Sequence, residues 1–203
     1  MASLDLVETI RHYEYEDFSY AVKEWSPPYI GCTLNSFFTR MRGPQLMTWS
    51  LEVLESYCTD LEKARMYHTS LFIERFVYVY GCSKEVSHRY RFPMRSLEFK
   101  KYVDFITKIS LIWETRARMQ FPLFTKCIGP LIVEEDTQMS PSYEVRLRAE
   151  LMTYSTETIR AYFEFVMQCW DEGFNPNIQT YHGVARELGF PSASEADQLG
   201  ASL

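Results

Sequence analysis

Apolar residues recur at helical spacing along almost the whole chain, and this periodicity leaves little room for a fold built on sheet. The strongest stretch is 143–170, where Leu147, Leu151, Tyr154, Ile159, Tyr162, Phe163, Val166 and Trp170 follow the pattern, which stops near Gly173. Residues 97–116 read as a second strong helix, carrying an apolar run from Tyr102 to Trp113. Residues 3–13 read as a short leading helix. Trp25-Ser26-Pro27-Pro28 is a start signal, with Ser26 as N-cap and proline in the first turn. The helix it opens carries Tyr29 to Met41 and is expected to end at Arg42-Gly43-Pro44. Residues 45–59 and 60–79 are two further amphipathic segments, joined or separate. Val86, Tyr90 and Phe92, in the stretch from Gly81 to Pro93, suit a small β-ribbon. The expected fold class is all-α, a helical bundle.

With 203 residues the chain reads as one domain with tails. Residues 1–17 read as an N-terminal extension, 18–190 as the helical domain, and 191–203, rich in Ser, Ala, Gly and Asp, as a flexible C-terminal tail. Aromatics at 16% imply large contact surfaces, inside the domain or between subunits. The net charge of -6 argues against a protein that scans nucleic acid alone. It is compatible with an assembly in which small basic patches add up. The five cysteines lie far apart, with no CxxC pair and hence no usual zinc spacing. Without a secretory signal layout they read as reduced thiols in a cytosolic protein. No run of 18 apolar residues is present, so no membrane span is expected.

Catalytic motifs are thin: there is no phosphate-binding loop, dinucleotide fingerprint, nucleophile elbow or HExxH. His12, His68, His88 and His182 lie on different segments. Glu134-Glu135-Asp136 reads as a solvated acidic turn, an acid/base pair, or a point where like charges crowd between copies. Arg116 and Arg118 stand where the 97–116 helix is expected to close, so they either cap its negative pole or present two guanidiniums to a phosphate. Arg146, Arg148 and Arg160 are open to the same two readings, with Glu144, Glu150, Glu157 and Glu164 within helical reach.

Taken together, Arg91-Phe92-Pro93, a helix, and Glu114-Thr115-Arg116-Ala117-Arg118 resemble the coat proteins of rigid rod-shaped plant RNA viruses of the tobacco mosaic virus type. Further segments follow in the same order. These are Phe18 and Trp25 before a helix containing Cys32, Lys63-Ala64-Arg65 before Glu74-Arg75-Phe76, Ile159-Arg160 in the last long helix, and Tyr181 with Glu187. The likeness covers about 18–190. It departs in extra residues near 42–60 and between Arg118 and Arg160, and in Tyr78, which stands where that family has an intersubunit carboxylate.

The resemblance implies a four-helix bundle with a small distal β-ribbon and extra helical segments. It implies a structural, non-enzymatic subunit of a virion in host cytoplasm, polymerising with itself around single-stranded RNA. Arg116, Arg118 and Arg65, with Thr115, would meet phosphates, seconded by Arg146, Arg148 and Arg160. Glu134, Glu135 and Asp136, with Asp104, would form a carboxylate switch that drives subunits apart when ionised or deprived of calcium. The alternative is a non-viral all-helical protein-protein interaction module.

Overall fold

The computed structural model describes residues 2–25, 40–80, 94–137 and 140–203, and the side chains of most of them. Nine α-helices stand among the described residues: α1 (Ala2–Trp25), α2 (Arg42–Leu46), α3 (Leu51–Met66), α4 (Leu71–Tyr80), α5 (Leu97–Gln120), α6 (Tyr143–Thr153), α7 (Thr156–Asp171), α8 (Pro176–Glu187) and α9 (Ala193–Gln198). A short 3-10 turn covers Val133–Glu135. No strand forms among these residues, and the fold is all-α. The helix expected to follow Trp25, the ribbon at 81–93, and Arg91-Phe92-Pro93 lie outside the described residues.

Serine sets most of the helix starts. Ser50, Ser96, Ser142, Ser155 and Ser192 each cap a helix by accepting the N–H three residues on. One cap splits the expected 143–170 helix. Tyr154 leaves helical geometry at φ -69, ψ 153, and Ser155 starts α7 afresh. Asp60 of α3 fixes the break by accepting the Ser155 N–H at 2.9 Å. The 45–79 region divides as well, at 67–70. There His68 takes φ 53, the Thr69 N–H reaches Ala64 O and the His68 N–H reaches Arg65 O. This is a left-handed helix closure usually made by glycine, so its sequence gives no warning. Gly173 (φ 67) closes α7 in the same way, where a stop is expected. Gly43-Pro44, expected as a stop, lies inside α2 instead, with Pro44 in the first turn, where a missing N–H costs nothing.

α1 packs on α2, α3 and α4; α3 packs on α7; α5 packs on α6, α7 and α8; and α4 packs on α6. The main core joins Val7 and Ile10 to Val53, Leu54, Tyr57, Ile106, Leu151, Ile159 and Val166. Residues 2–17 thus lie within α1, which brings Val7 and Ile10 into the main core. A second core sets Ala117, Phe121 and Phe124 against Tyr181, Val184, Ala185, Ala193 and Ala196. The segment 191–203 belongs to it. Small alanines of α9 fit against the two phenylalanines, Asp197 Oδ1 accepts the N–H groups of Leu123 and Phe124 at 2.7 and 2.8 Å, and the Leu203 N–H donates to Phe124 O. A tail poor in large side chains still docks when the partner surface is large and its loop amides need an acceptor.

Candidate functional site

Five helices meet at a buried cluster of four charges. Arg42 of α2 grips Glu14 of α1 with two bonds of 2.7 Å, Nε to Oε2 and Nη2 to Oε1. Its Nη2 also lies 2.9 Å from Glu150 Oε1 of α6, and its Nη1 donates to Gln45 at 2.9 Å. Arg75 of α4 donates to Glu14 at 3.2 Å, lies 3.5 Å from Glu150, and contacts the Tyr57 hydroxyl of α3. Tyr57 and Tyr154 donate to Glu14 and Glu150 at 2.6 and 2.8 Å. The Arg42 guanidinium stands 5.1 Å over the Trp49 ring. Glu14 and Arg42 are each 1% exposed. The set is neutral overall, as burial of charge requires.

This cluster holds protons still. Burial alone would raise the Glu14 carboxyl, but the guanidiniums of Arg42 and Arg75 outweigh it and bring it down to about 2. The same two cations outweigh burial at Glu150 and lower it. Burial pushes the Tyr57 and Tyr154 phenols well up. At neutral pH the carboxylates stay ionised and the phenols stay protonated, so no member is poised for acid or base work. The cluster pins helices together. Its pH signature follows from Glu14, whose folded-state pKa of about 2 lies below the ordinary 4.5. As pH falls from about 5 toward 2, the unfolded chain takes up a proton that the folded chain refuses, and about 3 kcal/mol of stability is lost. Urea unfolding midpoints from neutral to acid pH should show this decline, and Glu14→Gln should flatten it. An identical acid limb in both proteins would rule out this assignment.

A second buried group surrounds Glu114, itself 1% exposed. Its Oε1 accepts from Arg118 Nε at 2.8 Å and Tyr181 OH at 2.7 Å, and its Oε2 accepts from Asn177 Nδ2 at 2.9 Å. Arg118 also donates to Gly129 O at 2.7 Å. The two arginines of the expected phosphate clamp are placed apart. Residues two apart on a helix do not share a face, and α5 runs on to Gln120, so Arg118 turns inward while Arg116 stays exposed. Arg118 and Arg146 do converge, on the backbone of one turn: Arg146 reaches Ile128 O at 3.5 Å.

The other expected phosphate contacts are dispersed. Arg65 pairs with Glu16 at 2.7 Å and stands over the Tyr13 ring. Arg148 pairs with Asp104 at 2.6 Å and Glu144 at 3.1 Å, and Arg160 with Glu98 at 3.6 Å. Thr115 donates to Leu111 O. Of the expected carboxylate switch, Glu134 and Glu135 lie exposed on the 3-10 turn, where Glu135 accepts the Leu131 N–H. Asp136 accepts the Ser142 N–H at 2.6 Å, and Asp104 is tied to Arg148 in α6. Among the described residues no trio of His, Cys, Asp or Glu is disposed to hold a metal ion.

The outer face of α5 is the surface with a pattern of its own. Phe105, Ile112 and Met119 are 37%, 39% and 77% exposed and follow one another at seven-residue intervals. Lys101 and Lys108 keep the same interval beside them, and Arg116 lies on the same side; all three are exposed and form no ion pair among the described residues. Phe105 also packs against Phe163 of α7 at 5.2 Å. Sequence reading by core periodicity passes over this face because it searches for what is buried; the repeat of Lys101-Phe105 at Lys108-Ile112 is the signal that marks it. It likewise passes over Glu14, although the register Val7-Ile10-Glu14-Phe18 sets a carboxylate in a core position.

Compared with known proteins, residues 4–198 match the model of one family, described as "Protein of unknown function (DUF4125)". No curated protein and no solved structure matches the chain.

Proposed function

As the chain belongs to the DUF4125 family, whose description carries no activity, we propose a role from its geometry: an all-helical protein-interaction module whose outer α5 face docks an acidic amphipathic helix. The observation that carries this reading is the seven-residue spacing of Phe105, Ile112 and Met119 on exposed helix. A heptad line of apolar side chains is what a second helix packs along. The three span about 21 Å at 1.5 Å per residue, the length of a short partner helix. Lys101, Lys108 and Arg116 beside them ask for carboxylates on that partner.

A coat subunit polymerising around single-stranded RNA, with the four-helix bundle and distal ribbon of the rod-virus coats, is the second reading. The order of motifs raises it, and Arg116, exposed and unpaired among the described residues, favours it. The protein-partner reading is preferred because the face alternates apolar and basic residues, whereas Arg65, Arg118, Arg148 and Arg160 are already engaged within the chain.

Fluorescence anisotropy separates the two. The probes are a labelled peptide of about 20 residues with leucine at heptad spacing flanked by glutamate, and a labelled uridine oligonucleotide. The peptide is expected to bind, and Lys101→Glu with Lys108→Glu to weaken it by about tenfold or more, near 1.4 kcal/mol. Ile112→Ser should weaken it as well. Binding of the oligonucleotide alone would replace this reading with the coat reading, and binding of neither would end both.

A further inference from the structure

On a different surface, α1, α2 and α8 enclose an open cleft of about 540 Å3 that shares no residue with the α5 face. The size falls in the range of small-ligand sites, about 300–1,000 Å3. Two glycines shape it. A Cβ at Gly183 of α8 would lie 2.7 Å from Pro44 Cβ, so only glycine lets α8 approach α2 this closely. A Cβ at Gly43 would come within 3.3 Å of the Arg11 guanidinium, which lies over that backbone. The apolar lining is Leu4, Val7, Met47 and Phe174, of which Leu4 and Met47 are about half exposed at the mouth.

The polar rim is bipolar. Arg11 pairs with Glu8 at 2.9 Å and also draws on Glu187. Arg186 and Glu187, neighbours in the last turn of α8, both line the cleft, and neither side chain forms an ion pair or hydrogen bond among the described residues. A guanidinium and a carboxylate from consecutive positions of α8 thus both border the cleft with its apolar floor. A ligand carrying both charges would satisfy them together.

We propose that this cleft binds an apolar α-amino acid as its zwitterion, with the carboxylate on Arg186, the ammonium on Glu187 and the side chain on Phe174, Met47 and Leu4. The state of Glu187 agrees with this. Its carboxyl is raised by partial burial, which outweighs the pull of Arg11, and Glu8 adds a smaller rise, so an incoming ammonium would offset the cost of burial.

Isothermal titration with three probes tests the proposal: L-tryptophan, tryptamine, which lacks the carboxylate, and indole-3-propionate, which lacks the ammonium. L-tryptophan should bind at least about tenfold more tightly than either. Arg186→Gln should weaken L-tryptophan and indole-3-propionate but leave tryptamine unchanged. Glu187→Gln should weaken L-tryptophan and tryptamine but leave indole-3-propionate unchanged. Both side chains are exposed, so helical circular dichroism and Tm should match the parent protein, and a loss of binding then reports on the site. No saturable heat with L-tryptophan up to about 10 mM would overturn the proposal. So would equal affinity for the three probes, or L-tryptophan affinity untouched by both substitutions.

Discussion

Glu14→Ala is expected to destabilise the protein by about 3–5 kcal/mol, the cost of removing one partner from a buried ion cluster. The loss is larger than a surface pair would give because Arg42 and Arg75 would then share Glu150 alone, with Arg42 almost wholly out of solvent. The Tyr57 hydroxyl would lose its acceptor in the same step. For a chain of this length the loss lowers Tm by about 10 °C. Glu14→Gln should recover little, since it keeps the shape but supplies no charge to either guanidinium. Chemical denaturation of both variants checks this, and a loss under about 1 kcal/mol for Glu14→Ala would contradict the arrangement.

Arg116 and Arg118 should part company on substitution. Arg118→Ala strips buried Glu114 of its cation and leaves it with Tyr181 and Asn177, at a cost of about 2–4 kcal/mol. It also frees the Gly129 carbonyl, which loosens the turn before α6. Arg116→Ala, at an exposed site with no ion pair among the described residues, should fall within about 0.5 kcal/mol of the parent. Denaturation curves for the two variants decide the matter. Equal stability would mean that Arg118 is as free as Arg116 and that the inward placement is wrong.

These two arginines show how far sequence carries here. Helical spacing identifies α5 and α7 and the all-α class, because an apolar stripe is repeated often enough to outvote local exceptions. It fails at the breaks. His68 closes α3 in a conformation that glycine ordinarily marks, and the split at Tyr154-Ser155 depends on Asp60, 95 residues upstream. It also fails for α9, whose alanines are core only because Phe121 and Phe124 face them. For the site the limit is sharper. Which of two nearby arginines turns inward depends on where Glu114 and Asn177 meet, and periodicity holds no record of that meeting. A carboxylate in a core register, as at Glu14, was the one trace of the buried cluster.

The ion cluster has a kinetic side. Glu14 meets Arg42, Tyr57 and Arg75 across 28, 43 and 61 residues, and the circuit closes only when α6 brings Glu150. Each of these contacts must wait for long loops to close, and two charges that give up water early gain nothing until all four are in place. On this ground the cluster is expected to form on the native side of the folding barrier, with φ-values near zero for substitutions of Glu14. Interactions made that late act chiefly on the rate of escape from the folded state. The four charges thus set the lifetime of the fold more than the speed of its formation.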